Sequence, residues 1–327
     1  MIVTVVSVPE GTGTRADLHE ARRRLAAARF LLVDVELSAA GTEDGSAEDG
    51  AVAGGLGLEE ELAWFGRPDE PVRADFLGEV AAFVVPLIHE DRVAHLHVVA
   101  GERFVATAHH GPVAMVAEVI AQLRRERPQD AVALLFLVLQ EALATFRRAA
   151  VKELLQVEEL EDEMFQQRRP DQIYRLAQLR RRAALLHHTL LPYAQAVDEV
   201  IARRFTSRRF PEERQQLSRD FQHAARMVLT TIESLQDAAR RALASYSSLV
   251  AGEQNSVINR LAIVSVIFLP LSFLTGFFGM NFTYLTDELE SGAVFWLLAV
   301  GLQVSVVFAA FYVLHRTRVW RRLRDED

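Results

Sequence analysis

The sequence predicts an α+β domain, a mixed sheet with flanking helices, followed by long helices and two C-terminal transmembrane α-helices. Three observations predict it: short apolar runs of strand character within the first 110 residues, a helix-rich stretch from about residue 149, and two uncharged apolar segments near the C-terminus. The average composition, 50% hydrophobic and 24% charged, conceals this division.

At the N-terminus, the apolar run Met1-Ile2-Val3-Thr4-Val5-Val6 has no basic residue before it and ends at Ser7. That is far short of a secretory apolar region, so the N-terminus is expected to stay in the cytoplasm. Strand character marks 30–35, 81–88, 94–99 and 104–108; the last two read as a β-hairpin across Ala100-Gly101-Glu102. The segment 41–55, GTEDGSAEDGAVAGG, is rich in Gly, Ala and acid and has no aromatic anchor, so it reads as a mobile surface loop. Helical patterns cover 15–28, 113–125 and 131–147. Together these predict a cytoplasmic α/β domain over 1–148.

From 149 to 260 the chain reads as a long-helix stalk broken at Pro170, Pro192 and Pro211. Leu154, Val157, Leu160 and Met164 recur every three or four residues and form a narrow packing seam. The acids Glu158, Glu159, Glu161, Asp162 and Glu163 beside it read as a solvated helix face rather than a metal cluster. No proline occurs between Pro211 and Pro270. One helix is therefore expected from Glu212 into the following apolar segment, roughly 85 to 90 Å at 1.5 Å per residue.

The segments 261–280 and 293–314 contain no charged residue, and each has about the 20 residues that cross a bilayer. Trp296, Tyr312 and Trp320 lie near the ends of the second, where aromatic rings favour the interface. The tail 315–327 carries five arginines between Arg316 and Arg324, whereas the loop 281–292 has no Lys or Arg and holds Asp287, Glu288 and Glu290. The positive-inside rule then places the loop outside and both termini in the cytoplasm.

Several function classes are excluded. A formal charge of −8 disfavours nucleic acid as a partner. With no cysteine, metal ligands must be N or O atoms. No glycine-rich phosphate loop, HExxH or GxSxG is present, so no enzyme is expected. The pairs His109-His110 and His187-His188 read as surface residues rather than ligands, because adjacent side chains diverge on a helix or a strand.

Two helices alone enclose no aqueous path, so a pore requires several chains. On the first apolar segment, Asn255, Ile258, Leu261, Ala262, Val266, Leu269, Ser272 and Gly276 recur at helical spacing and form one face with polar atoms at intervals. Such a face lines a path or packs on another helix; periodicity alone favours neither.

The end of that segment, LPLSFLTGFFGMNF, carries Gly279-Met280-Asn281. These residues, with Pro-Leu-Ser-Phe before them, Phe282 after them and a final apolar segment following, resemble the signature of the CorA family of divalent-cation transporters, which includes a zinc-transporting branch. The hairpin near 94–110, the ELEDE helix, the Leu190-Leu191-Pro192 break and the long helix entering the membrane extend the resemblance.

The resemblance implies a funnel-shaped homopentamer in the cell (inner) membrane, with Mg²⁺ as substrate and no tightly bound cofactor. It implies a ring of Asn281 side chains at the outer mouth, apolar constrictions at Ile258, Leu261 and Leu269, and a second polar ring at Asn255. It also implies inhibition by cytoplasmic Mg²⁺ at carboxylates between subunits, with Asp220 as one and Glu60 or Glu61 as its partner. A second family acid falls on Ala244. Ala262 and Val266 stand where family members carry hydroxyls, and FTYLTDELESG departs from the commoner loop. Proton-coupled transport of Zn²⁺, or of Co²⁺ or Ni²⁺, is the alternative; a membrane-anchored coiled-coil sensor or scaffold is a more distant one.

Overall fold

The structure, a computed structural model, describes residues 1–26, 30–38, 51–58, 62–68, 70–77, 80–205, 212–280 and 292–316. The chain divides into two compact units, Met1–Leu243 and Ala244–Asp327.

In the first unit, β-branched and apolar runs form β1 (Ile2–Ser7), β3 (Leu31–Leu37), β5 (Val80–His89), β6 (Arg92–Ala100) and β7 (Phe104–His110). With β2 (Thr12–Ala16) and β4 (Arg73–Leu77) they make one seven-stranded sheet in the order β2-β1-β3-β7-β6-β5-β4. Neighbours pair antiparallel except β3 and β7, which run parallel, so the sheet is mixed as expected. β6 and β7 form the expected hairpin. A second hairpin joins β5 to β6 through Glu90 and Asp91, whose positive φ values of 47° and 61° suit a two-residue turn between twisted strands.

Alternation along β3 sends Leu31, Val33, Val35 and Leu37 into a core with Val52, Leu56, Trp64 and Phe65. Val52 and Leu56 belong to α2 (Ala51–Leu56), and α1 (Leu18–Ala26) covers the same core through Ala21. The segment 51–55 is therefore helical and packed rather than part of a mobile loop; 41–50 lie outside the described residues.

Next come α3 (Ala114–Glu126) and α4 (Ala131–Gln166). Arg127 ends α3 in the left-handed conformation, and Asp130 caps α4 by accepting the Ala133 N–H at 2.7 Å. The expected boundary at 148/149 falls inside α4, which packs along β5, with Thr145 Oγ1 accepting the Ile88 N–H at 2.9 Å. Pro170 separates α4 from α5 (Asp171–Phe205), but Pro192 lies within α5 and does not break it.

Along α4, Val157, Leu160 and Met164 are buried, while Leu154 yields its place in the seam to Glu153. Part of α6 (Glu212–Phe278) closes this helical layer, the Phe221 ring meeting Phe136 of α4 and Tyr193 of α5 edge-on. The Tyr193 hydroxyl donates to the Leu139 carbonyl at 2.8 Å, which satisfies a fully buried phenol.

In the second unit, the C-terminal part of α6 is, among the described residues, the one helix long and apolar enough to cross a membrane. The segment expected as a second spanning helix is divided: a turn of helix at Gly292–Val294, a π-helical stretch at Phe295–Val300, and α7 (Gly301–Arg316), whose apolar part is Gly301–Val313.

Candidate ion path

The apolar part of α6 stays helical through Pro270, which donates no N–H to the Val266 carbonyl. Ser265 and Thr275 turn their hydroxyls back on the helix, donating to the carbonyls of Leu261 at 2.9 Å and Leu271 at 2.8 Å. That arrangement lets a hydroxyl sit in an apolar helix without an unpaired donor.

The helix has two unlike faces. Ser256, Ile263, Ile267, Pro270, Leu271, Leu274 and Phe278 are half-buried and lie on one side at helical spacing. Asn255, Ile258, Leu261, Ala262, Val266, Leu269, Ser272 and Gly276 are all exposed and lie on the other side. Within the chain, then, the face predicted to line a path is uncovered, as are Val264, Phe268 and Phe273 on its flanks. Glu253 and Arg260 fall outside it, leaving amide, hydroxyl, backbone and hydrocarbon groups along its length.

At its end, α6 stops at Phe278, and the Gly279 N–H donates to the Thr275 carbonyl at 3.0 Å. A Cβ on Gly279 would stand 3.0 Å from that same oxygen, a tight contact that any larger residue could relieve only by a small shift of the helix end. Met280 is exposed, and its N–H donates to the Phe277 carbonyl at 3.3 Å. Asn281, Asp287, Glu288 and Glu290 lie outside the described residues, as do Glu60 and Glu61. Asp220 is exposed on α6 beside buried Phe221. Among the described residues no cluster of three or more His, Asp or Glu could hold a metal ion.

The expectation for His109 and His110 is corrected. β7 lies inside the sheet, so His109 is buried: its Nε2 is 3.3 Å from Asp34 Oδ1, and its Nδ1 is 2.6 Å from the Gly111 carbonyl. Burial lowers the His109 pKa, but the Asp34 carboxylate beside it, the Gly111 carbonyl and the Glu36 charge outweigh that, and the net shift is upward. His110 sets its two ring nitrogens 3.0 Å from the carbonyls of Ser38 and Gly66. His97, also buried, accepts the Gly66 N–H on Nδ1 at 3.1 Å, and burial drives its pKa down to about 3. His97 of β6 and His110 of β7 both reach Gly66 and so tie their strands to the Trp64-Phe65-Gly66 turn. Of the other pair, His187 is half-buried and His188 exposed.

Sequence reading passed over Gln303. Its Nε2 donates to Thr275 Oγ1 at 3.3 Å, linking α7 to α6. The available signal was an amide side chain in an otherwise apolar segment.

Comparison with known proteins places this geometry in context. Residues 42–317 match the family described as CorA-like Mg²⁺ transporter protein. The cobalt/magnesium transport protein CorA of Thermotoga maritima is 26% identical over 157 residues, which are 48% of this chain and 44% of that protein. The chain thus matches less than half the length of this relative. Among solved structures, the complete CorA magnesium transporter of Methanocaldococcus jannaschii superposes with a TM-score of 0.76 at 17% identity, covering 97% of this chain and 98% of that one. The full-length CmaX protein gives 0.71 at 21% identity, over 99% and 97% of the two chains. The ZntB cytoplasmic domain from Vibrio parahaemolyticus gives 0.58 at 9% identity, over 77% of this chain and 98% of that one.

Proposed function

The chain belongs to the CorA-like Mg²⁺ transporter family, and from that premise we propose that it is a divalent-cation channel that moves Mg²⁺ across the cell membrane. The observation that carries the reading is the uncovered, uncharged face of α6 running from Asn255 to Gly276 and ending at Gly279-Met280. Five copies would turn this face inward around one axis, with the segment 293–314 as the second, outer crossing of the membrane. The basic tail puts both termini in the cytoplasm.

Mg²⁺ sheds its waters reluctantly. A ring of Asn281 amide oxygens at the outer mouth would bind those waters and select the hydrated ion, where a carboxylate ring would hold it too tightly for release. Below it, Leu269, Leu261 and Ile258 close the path by excluding water, and Asn255 forms the inner polar ring. Asp220, with Glu60 or Glu61 of a neighbouring copy, binds cytoplasmic Mg²⁺ and favours closure.

The test is Asn281→Ala in proteoliposomes: Mg²⁺ flux should fall by about tenfold or more while the pentamer persists. Unchanged flux would leave a membrane-anchored scaffold as the better reading. Ala262 and Val266, which leave two levels of the path without hydroxyls, favour one second reading, transport of Zn²⁺, Co²⁺ or Ni²⁺. Flux of each ion with and without a pH gradient separates the two, since Mg²⁺ uptake indifferent to the gradient belongs to the channel.

A further inference from the structure

We propose that Gln303 is a positioning residue for the outer mouth, holding the last turn of α6, and through it Gly279-Met280, in place. This inference rests on the channel reading above. Its basis is a chain of bonds: Gln303 Nε2 donates to Thr275 Oγ1 at 3.3 Å, and the Thr275 carbonyl accepts the Gly279 N–H at 3.0 Å. The residue gripped by α7 is therefore the residue on which the signature turn hangs. Thr275 Oγ1 donates its own proton to the Leu271 carbonyl at 2.8 Å, so the hydroxyl is fixed in the rotamer that presents a lone pair to the amide.

The surroundings give this contact its weight. A primary amide inside an apolar segment is costly in hydrocarbon unless it is paired, because no water replaces a lost partner. Gln303 lies on one side of α7 with the half-buried Val306 and Val307 and the buried Ala310, at the spacing of a packing face. Hydrocarbon contacts along such a face tolerate sliding and rotation of one helix on another. A directed hydrogen bond one turn before the motif does not, and it pins the height and azimuth of the helix end.

The sequence holds no cysteine, so Met280→Cys supplies a single thiol reporter at the motif. The reaction rate of that thiol with a charged maleimide is measured in detergent micelles alone and combined with Gln303→Leu, Thr275→Val, both, or Thr275→Ser. Gln303→Leu and Thr275→Val should each change the rate by about threefold or more, and the pair no further than either single. Thr275→Ser, which keeps the hydroxyl, should leave the rate as it is. In the Met280 background, the Mg²⁺:Co²⁺ flux ratio should shift in the same two single variants. Equal labelling rates in all five proteins, or changes that add in the double variant, overturn the inference. The labelling result stands whether or not the protein conducts: absent flux from the unaltered protein sinks the channel reading, while conducting protein with unchanged labelling sinks only this one.

Discussion

Arg182 Nη1 donates to Glu153 Oε1 at 2.8 Å, joining α5 to α4 through a carboxylate side chain only 5% exposed. The other oxygen of Glu153 is buried without a partner, so the guanidinium is what makes this charge tolerable inside the helical layer. Arg182→Ala would strand the charge. Because Arg182 is itself 46% exposed, water replaces part of what is lost, and a cost of about 2 to 4 kcal/mol is expected. Glu153→Gln keeps an acceptor and removes the charge, and should cost about half as much. Urea unfolding of the full chain in detergent, followed by circular dichroism, checks the order; an equal or reversed pair of losses would refute it.

The buried histidines set opposite limbs of the pH dependence. His97 falls to about 3 in the folded state, because of burial first and then the His110 and His95 charges, against an ordinary value of 6.5. Its contribution is therefore complete above pH 6.5 and lost as pH drops from 6.5 toward 3, by up to about 1.4 kcal/mol per pH unit. His109 is shifted upward, so its contribution is complete below 6.5 and lost as pH rises through its raised value. His97→Gln, which retains an acceptor for the Gly66 N–H, should flatten the acid limb and leave the alkaline limb alone. Trp64, whose ring centroid is 5.7 Å from that of His97, provides the fluorescence signal. An unchanged acid limb would mean that His97 is not the group that titrates.

How much of this was legible depends on what each residue had to reveal. β5, β6 and β7 announce themselves because Val, Ala and Phe accumulate where both faces of the sheet are covered. β2 does not: Thr12-Gly13-Thr14-Arg15 is an exposed edge with no apolar alternation to read. α2 was hidden by Gly54 and Gly55, which argue for loop locally. In the fold, a Cβ on Gly55 would come within 2.8 Å of Leu18 Cδ1, so the glycine serves packing rather than disorder. Pro192 misled because its missing N–H costs one bond, which packing along a 35-residue helix overrides. At the candidate path, helical spacing picked out one face of α6 without saying what lies against it, and the Gln303–Thr275 link depends on how two separate segments meet, which no local pattern contains.

Gly279 offers a test in which backbone conformation and packing oppose each other. Gly279 is the first residue past α6 and has no positive φ that would demand glycine, so Gly279→Ala should not weaken the fold through the backbone. Its new methyl would nevertheless stand 3.0 Å from the Thr275 carbonyl, a backbone oxygen that cannot turn aside. The helix end must shift by a few tenths of an ångström, and the residues after it shift with it. Melting in detergent should change by less than about 1 kcal/mol while Mg²⁺ flux falls severalfold. Full flux would show that the mouth tolerates the displacement.

Asp220 carries the last prediction, which concerns inhibition from the cytoplasmic side. It is exposed on α6, next to Phe221, whose ring is locked between Phe136 and Tyr193. In the proposed assembly, a carboxylate on so well anchored a turn would present a fixed charge to a neighbouring copy. Mg²⁺ bound there alters gating only if it binds the closed arrangement better than the open one. Five sites, each preferring closure by only about 1 kcal/mol, bias the equilibrium by roughly 5 kcal/mol, enough to turn a mostly open population into a mostly closed one. Asp220→Ala should therefore raise Mg²⁺ flux when internal Mg²⁺ is high and change little when it is low. With Ala244 in place of a second acid, the inhibitory concentration should also lie above that of relatives that retain one. Flux measured in proteoliposomes across a range of internal Mg²⁺ decides it: superimposable curves for the unaltered protein and Asp220→Ala would return this residue to an ordinary solvated place on the helix.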